Sequence, residues 1–82
     1  MAKSVFTAQY KRFLDLLRTA RERAGISQAE MAELLHITQS SVSKIERGER
    51  RLDVVELWRW CQAIKIPLET LARDLDNQLR RH

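Results

Sequence analysis

Apolar side chains recur at Tyr10, Phe13, Leu14, Leu17, Ala20 and Ala24. That is the i, i+3, i+4, i+7 spacing of one helix face, and it predicts a first helix over about 8–24, ended by the left-handed residue that Gly25 supplies. A repeated start signal then organises the chain. In Ser27-Gln-Ala-Glu30 a serine precedes a glutamate by three residues, a capping box, and Ile26 and Met31 stand at the spacing of a hydrophobic staple. Asp53-Val-Val-Glu56 repeats the arrangement between Leu52 and Leu57. Thr38 caps in the same way, with Ile37 and Val42 as its staple and Ser41 in place of the glutamate. These starts predict helices over about 28–35, over 39–47 with Gly48 as the stop, and over 54–64. In the last of these, Val54, Leu57, Trp58, Cys61 and Ile64 are expected to face inward. Pro67 suits the first turn of a fifth helix, along which Leu68, Leu71, Leu75 and Leu79 form a stripe.

The third helix stands apart. Residues 37–51, ITQSSVSKIERGERR, contain three serines, a glutamine and β-branched residues where a stable helix would use Ala, Leu or Glu. At about 100° per residue, Val42 and Ile45 fall on one side while Ser40, Ser43, Lys44 and Arg47 fall on the other, with Gln39 at the exposed start. Only about three residues separate this helix from the one before, which is the physical content of a helix-turn-helix. Serine, glutamine and lysine are small or flexible hydrogen-bonding groups, suited to base edges in a major groove wide enough to admit a helix.

Charge adds direction to this picture. The net charge is +4. Residues 1–52 hold ten Lys/Arg against six Asp/Glu and residues 53–82 hold five against five, so the whole excess lies in the first two thirds. A polyanionic partner is expected on that side and packing or self-association on the other. With 82 residues, 44% hydrophobic and 32% charged, the chain suffices for one small core, and a single domain over 1–82 with no separate ligand-binding unit is expected. Two glycines and one proline argue against disorder and against a turn-rich β fold. The fold expected is all-α, a compact five-helix bundle.

Other chemistries find little support. The lone Cys61, among Leu57, Trp58 and Ile64, reads as a core thiol in a reducing compartment. No apolar run approaches the roughly 20 residues of a membrane span, and MAKSVFTAQYKR lacks the apolar stretch of a leader, so a cytoplasmic location is expected. His36, Cys61 and His82 have no metal-ligand spacing, and no metal or cofactor is expected. The serines of the third helix have no base placed to activate them, so no enzyme is expected. No small-molecule site is evident.

Over residues 20–71, ARERAGISQAEMAELLHITQSSVSKIERGERRLDVVELWRWCQAIKIPLETL, the sequence resembles the phage repressor and Cro type of helix-turn-helix regulator, the XRE family. The resemblance rests on the Arg21 to Gly25 spacing, the Ser27-Gln28-Ala29-Glu30 opening and the QSSVSKIERG block. It implies a lambda-repressor-like fold, with Gln39, Ser40 and Lys44 as base-reading residues. Ser27, Gln28, Ser43, Arg47, Arg50 and Arg51 are then phosphate contacts, with Gln28 also bracing Gln39. It further implies that Arg21, a charge inside the apolar stripe of the first helix, pairs with Glu46 across the core. Where the family commonly has glycine, this chain has His36 and Lys65, each expected to cost about 1 kcal/mol as a left-handed cap.

The function expected is sequence-specific binding of double-stranded DNA as a transcriptional regulator, a repressor on a palindromic operator. One short helix covers few base pairs, so a homodimer is expected, with Trp58, Trp60, Leu75 and Leu79 as candidates for its interface and 67–82 as a segment that contributes to it. The competing expectation is an adaptor or antitoxin-like chain whose main partner is another protein.

Overall fold

The structure, a computed structural model, describes residues 8–81. The amino-terminal residues 1–7 and His82, which figured in the leader and metal-ligand expectations, lie outside the described residues. Five helices follow one another: α1 (Ala8–Arg23), α2 (Gln28–Leu35), α3 (Gln39–Glu46), α4 (Val54–Ala63) and α5 (Leu68–Arg80). The fold is an all-α helix-turn-helix bundle, with each boundary within a residue or two of the spacing-based expectation.

Three of the four junctions are built from one repeated device. Gly25, His36 and Lys65 take left-handed backbone conformations, with φ of 75°, 59° and 63°. Each is followed by an isoleucine whose N–H reaches back over the helix end: Ile26 to Arg21 O at 3.2 Å, Ile37 to Ala32 O at 3.0 Å and Ile66 to Cys61 O at 3.0 Å. The left-handed residue's own N–H donates to Glu22 O, Glu33 O or Gln62 O in turn. This paired closure is the Schellman motif, and it satisfies carbonyls that a bare helix end leaves orphaned. The same isoleucine immediately precedes the next N-cap, Ser27, Thr38 or Pro67. It therefore also serves as the staple toward Met31, Val42 or Leu71, all buried. One residue thus ends one helix and aims the next.

Capping follows the sequence closely. Ser27 Oγ accepts from Glu30 N at 3.1 Å while Glu30 Oε1 accepts from Ser27 N at 2.8 Å. Asp53 and Glu56 form the second reciprocal box, at 2.8 and 3.0 Å. Pro67 sits at the N-cap of α5, one position before the first turn expected for it, and gives no side-chain cap.

Leu14, Leu17, Met31, Ala32, Val42, Ile45, Trp60, Cys61, Ile64 and Leu71 form the core. Burial of each larger side chain contributes roughly 1.5–3 kcal/mol. The inward face of α4 departs from expectation. Leu57, Trp60, Cys61 and Ile64 point in, whereas Val54 and Trp58 are exposed. Both 54/57/58/61 and 57/60/61/64 satisfy helical spacing, and the second stripe is the one that meets α2 and α5. Trp60, completely buried, is thereby withdrawn as a dimer-interface candidate. Its indole N–H is the one buried side-chain polar atom without a partner among the described residues. Leu75 and Leu79 are half-buried on α5. Helix α3 rests chiefly on α2 and α1, which leaves its outer side uncovered. No helix among the described residues is long and apolar enough to cross a membrane.

Candidate nucleic-acid interface

Helix α3 persists despite its poor intrinsic propensity because both its ends and its inner side are fixed. Thr38 Oγ1 accepts from Ser41 N at 3.0 Å and donates to Ser41 Oγ at 3.0 Å, capping the start. Gly48, at φ 81°, closes the end with Glu49 N donating to Lys44 O at 2.8 Å. Val42 and Ile45 are buried beneath. Gln39, Ser40 and Lys44 lie together on the exposed side, and among the described residues none of the three makes a side-chain hydrogen bond. Their donors and acceptors face water, ready to be exchanged for those of a ligand.

Beneath the ridge lies a charged anchor. Arg21 donates from Nε to Glu46 Oε2 at 2.6 Å and from Nη2 to Glu46 Oε1 at 3.1 Å, a bidentate pair joining α1 to α3. The Glu46 side chain is 4% exposed. Arg21 Nη1 donates to Ile26 O at 2.8 Å, tying the α1–α2 junction into the same cluster. Its hydrogen bond to Glu46, opposed by burial, raises the guanidinium's pKa above its already high ordinary value. Gln28 Nε2 completes the cluster on Glu46 Oε1 at 3.0 Å. The expected brace from Gln28 to Gln39 is therefore replaced: Gln28 holds the carboxylate at the far end of α3 instead.

The loop after α3 carries three arginines, each already engaged. Arg47 forms a bidentate pair with Glu49, at 2.9 and 3.2 Å, and donates from Nη1 to Ser43 Oγ. Arg50 Nη2 donates to Glu56 Oε2 at 3.1 Å, while the other oxygen of that carboxylate serves the α4 capping box. The Arg51 guanidinium lies 5.4 Å from the centre of the Tyr10 ring, a cation–π distance. Glu49's carboxyl is held below the usual range by its hydrogen bond from Arg47 and by the charges of Arg47 and Lys44. Sequence spacing located the arginines and missed these partners. Glu49 lies two residues from Arg47 and Glu56 six from Arg50, separations without a fixed meaning in irregular backbone, and Tyr10 is distant in sequence.

Of the remaining candidates, Ser27 is exposed and committed to its capping box, and Ser43 is half-buried beneath Arg47. Among the described residues no three His, Cys, Asp or Glu side chains cluster to hold a metal. The arrangement offers a rigid helix with an unbonded polar ridge, followed by a cationic loop, which is the combination that duplex DNA binding uses.

A family model described as helix-turn-helix matches residues 17–71. An XRE-family-like protein from Pseudomonas syringae pv. tomato has a solved structure that superposes with a TM-score of 0.82 at 43% identity, covering 94% of each chain. The clp gene regulator ClgR from Corynebacterium glutamicum matches with a TM-score of 0.73 over 92% of this chain and 84% of that one; at 20% identity it speaks for the fold alone. No curated protein matches in sequence.

Proposed function

This chain belongs to the XRE-type helix-turn-helix family, and we propose that, as a DNA-binding transcriptional regulator, it reads a palindromic operator as a homodimer and acts as a repressor. Helix α3 enters the major groove. Gln39 makes a bidentate contact to adenine, Lys44 reaches guanine acceptors and Ser40 meets a neighbouring base edge. Ser27, Gln28, Ser43, Arg47, Arg50 and Arg51 meet the phosphates flanking that site and supply affinity without sequence information. Such a regulator works in the cytoplasm, beside the DNA.

The observation that carries this reading is the contrast across α3. Its inner side is fixed by Val42, Ile45 and the Glu46–Arg21 pair, while Gln39, Ser40 and Lys44 stand exposed and unbonded. A helix this polar on its outer side, held this firmly on its inner one, is suited to recognition. Selecting bound duplexes from a random pool tests it. The expected product is a symmetric pair of half-sites with centres about 34–36 Å apart, one turn of duplex or a multiple of it. A pool that shows no enrichment contradicts the reading and favours the adaptor.

A further inference from the structure

Among the described residues four large apolar side chains are exposed: Leu34 at 50%, Val54 at 67%, Val55 at 56% and Trp58 at 48%. Single exposed apolar groups are ordinary, but these are concentrated. Val54, Val55 and Trp58 share the outer face of α4, and Leu34 stands at the end of α2, the helix packed beside it. Between the two helices runs a groove of about 280 Å³, lined by Leu34, Leu35, His36, Arg59, Gln62 and Ala63. Apolar groups gathered on one exposed helix face and rimmed by polar ones mark an interaction site.

We propose that this α4 face is where a second copy of the same chain docks, its α4 antiparallel to the first across a two-fold axis between Trp58 and Arg59. The proposal rests on the homodimer reading above and names its surface. Charge supplies the reason for choosing a second copy. The α4 segment begins with Asp53 and carries Arg59 and then Lys65 toward its end, all exposed. An antiparallel copy brings Asp53 of each chain toward Lys65 of the other, an opposite-charge pair that the two-fold axis repeats, as in an isologous interface. The same register sets Trp58 over Arg59 of the second copy and Val55 over its Gln62. Arg59 has no acidic partner among the described residues, and an indole face is a good acceptor for a guanidinium.

Position supports this choice as well. Helix α3 rests chiefly on α1 and α2, so covering the outer face of α4 leaves the reading ridge open. Leu75 and Leu79 are half-buried within their own chain and have less surface to offer. Trp58 becomes the centre of the interface, the place where truncation costs most.

Sedimentation of the full chain, free and on duplex DNA, tests the proposal. Trp58→Asp should raise the dimer dissociation constant at least about a hundredfold, with helix content by circular dichroism unchanged because this side chain lies outside the core. A second variant, carrying both Val55→Cys and Gln62→Cys, should form a covalent dimer on oxidation. Within one chain the two positions are about 10.5 Å apart along the helix, too far to bridge, and the buried Cys61, whose thiol pKa is pushed up, stays inert. Each single cysteine should crosslink far less. A dimer that survives Trp58→Asp and resists crosslinking overturns this surface and leaves homodimerisation standing. A chain that binds DNA with steep salt dependence yet stays monomeric, free and on DNA, overturns both and leaves the DNA-binding reading intact.

Discussion

The outward ridge of α3 and the loop that follows it carry similar hydrogen-bonding chemistry in opposite states. On the ridge the backbone is regular and fixed by Glu46, Val42 and Ile45, while Gln39, Ser40 and Lys44 are free. In the loop the backbone is irregular, yet Arg47, Arg50 and Arg51 are each held by Glu49, Glu56 or Tyr10. Free side chains on a rigid frame can discriminate between base pairs, because a wrong edge leaves a donor or acceptor unmet. Restrained arginines lose less conformational freedom when a phosphate arrives, but the carboxylates beside them offset part of the attraction. Arginine number alone therefore overstates what the loop contributes to DNA affinity.

The largest effect on that contrast comes from removing its frame. Glu46→Ala should cost about 3–5 kcal/mol, since it strands the buried Arg21 guanidinium, and chemical denaturation reads the loss directly. Replacing both partners, Arg21→Met with Glu46→Leu, should recover most of the stability. A single variant as stable as the parent would show that the anchor does not hold α3. Next come the two left-handed caps. His36→Gly and Lys65→Gly should each stabilise by about 1 kcal/mol, and neither should alter which duplex is preferred, because neither changes the ridge.

Smaller effects divide the loop. Arg50→Ala should weaken binding to all duplexes alike and lower the slope of log affinity against log salt by about 1. A change confined to one sequence would move Arg50 into the reading set. Glu49→Gln should free Arg47 and tighten binding by less than about tenfold. Because Arg47 holds the Glu49 carboxyl below its usual range, the pair persists above that range and is lost as pH falls through the lowered value. Acidification should accordingly tighten binding by the parent chain in a step that Glu49→Gln lacks, as a pH series at fixed ionic strength would register.

The frame was far more legible in the sequence than the loop. Ser27, Thr38 and Asp53 announce helix starts because a capping hydrogen bond spans a fixed three residues, and the isoleucine before a cap obeys equally local rules. The outward face of α3 followed from helical spacing, and the Arg21–Glu46 contact was anticipated only through family resemblance. Trp58 and Trp60 show where spacing fails. Two overlapping apolar stripes fit α4, and the choice depends on which neighbours α4 meets, which is tertiary information. The partners of Arg47, Arg50 and Arg51 were illegible for a related reason: side chains extending from an irregular loop find acids and rings that no periodicity relates to them. Gln28 illustrates both, correctly placed at the start of α2 yet bonded to Glu46.

The central claim is that the free ridge on α3 distinguishes one duplex from another. Its most direct test compares Lys44→Ala with the parent chain on the selected operator and on mixed-sequence duplex at the same salt concentration. Loss of about 1–3 kcal/mol of preference for the operator, with binding to mixed sequence far less affected, is the result expected. An undiminished ratio of the two affinities would mean that the ridge does not read the sequence.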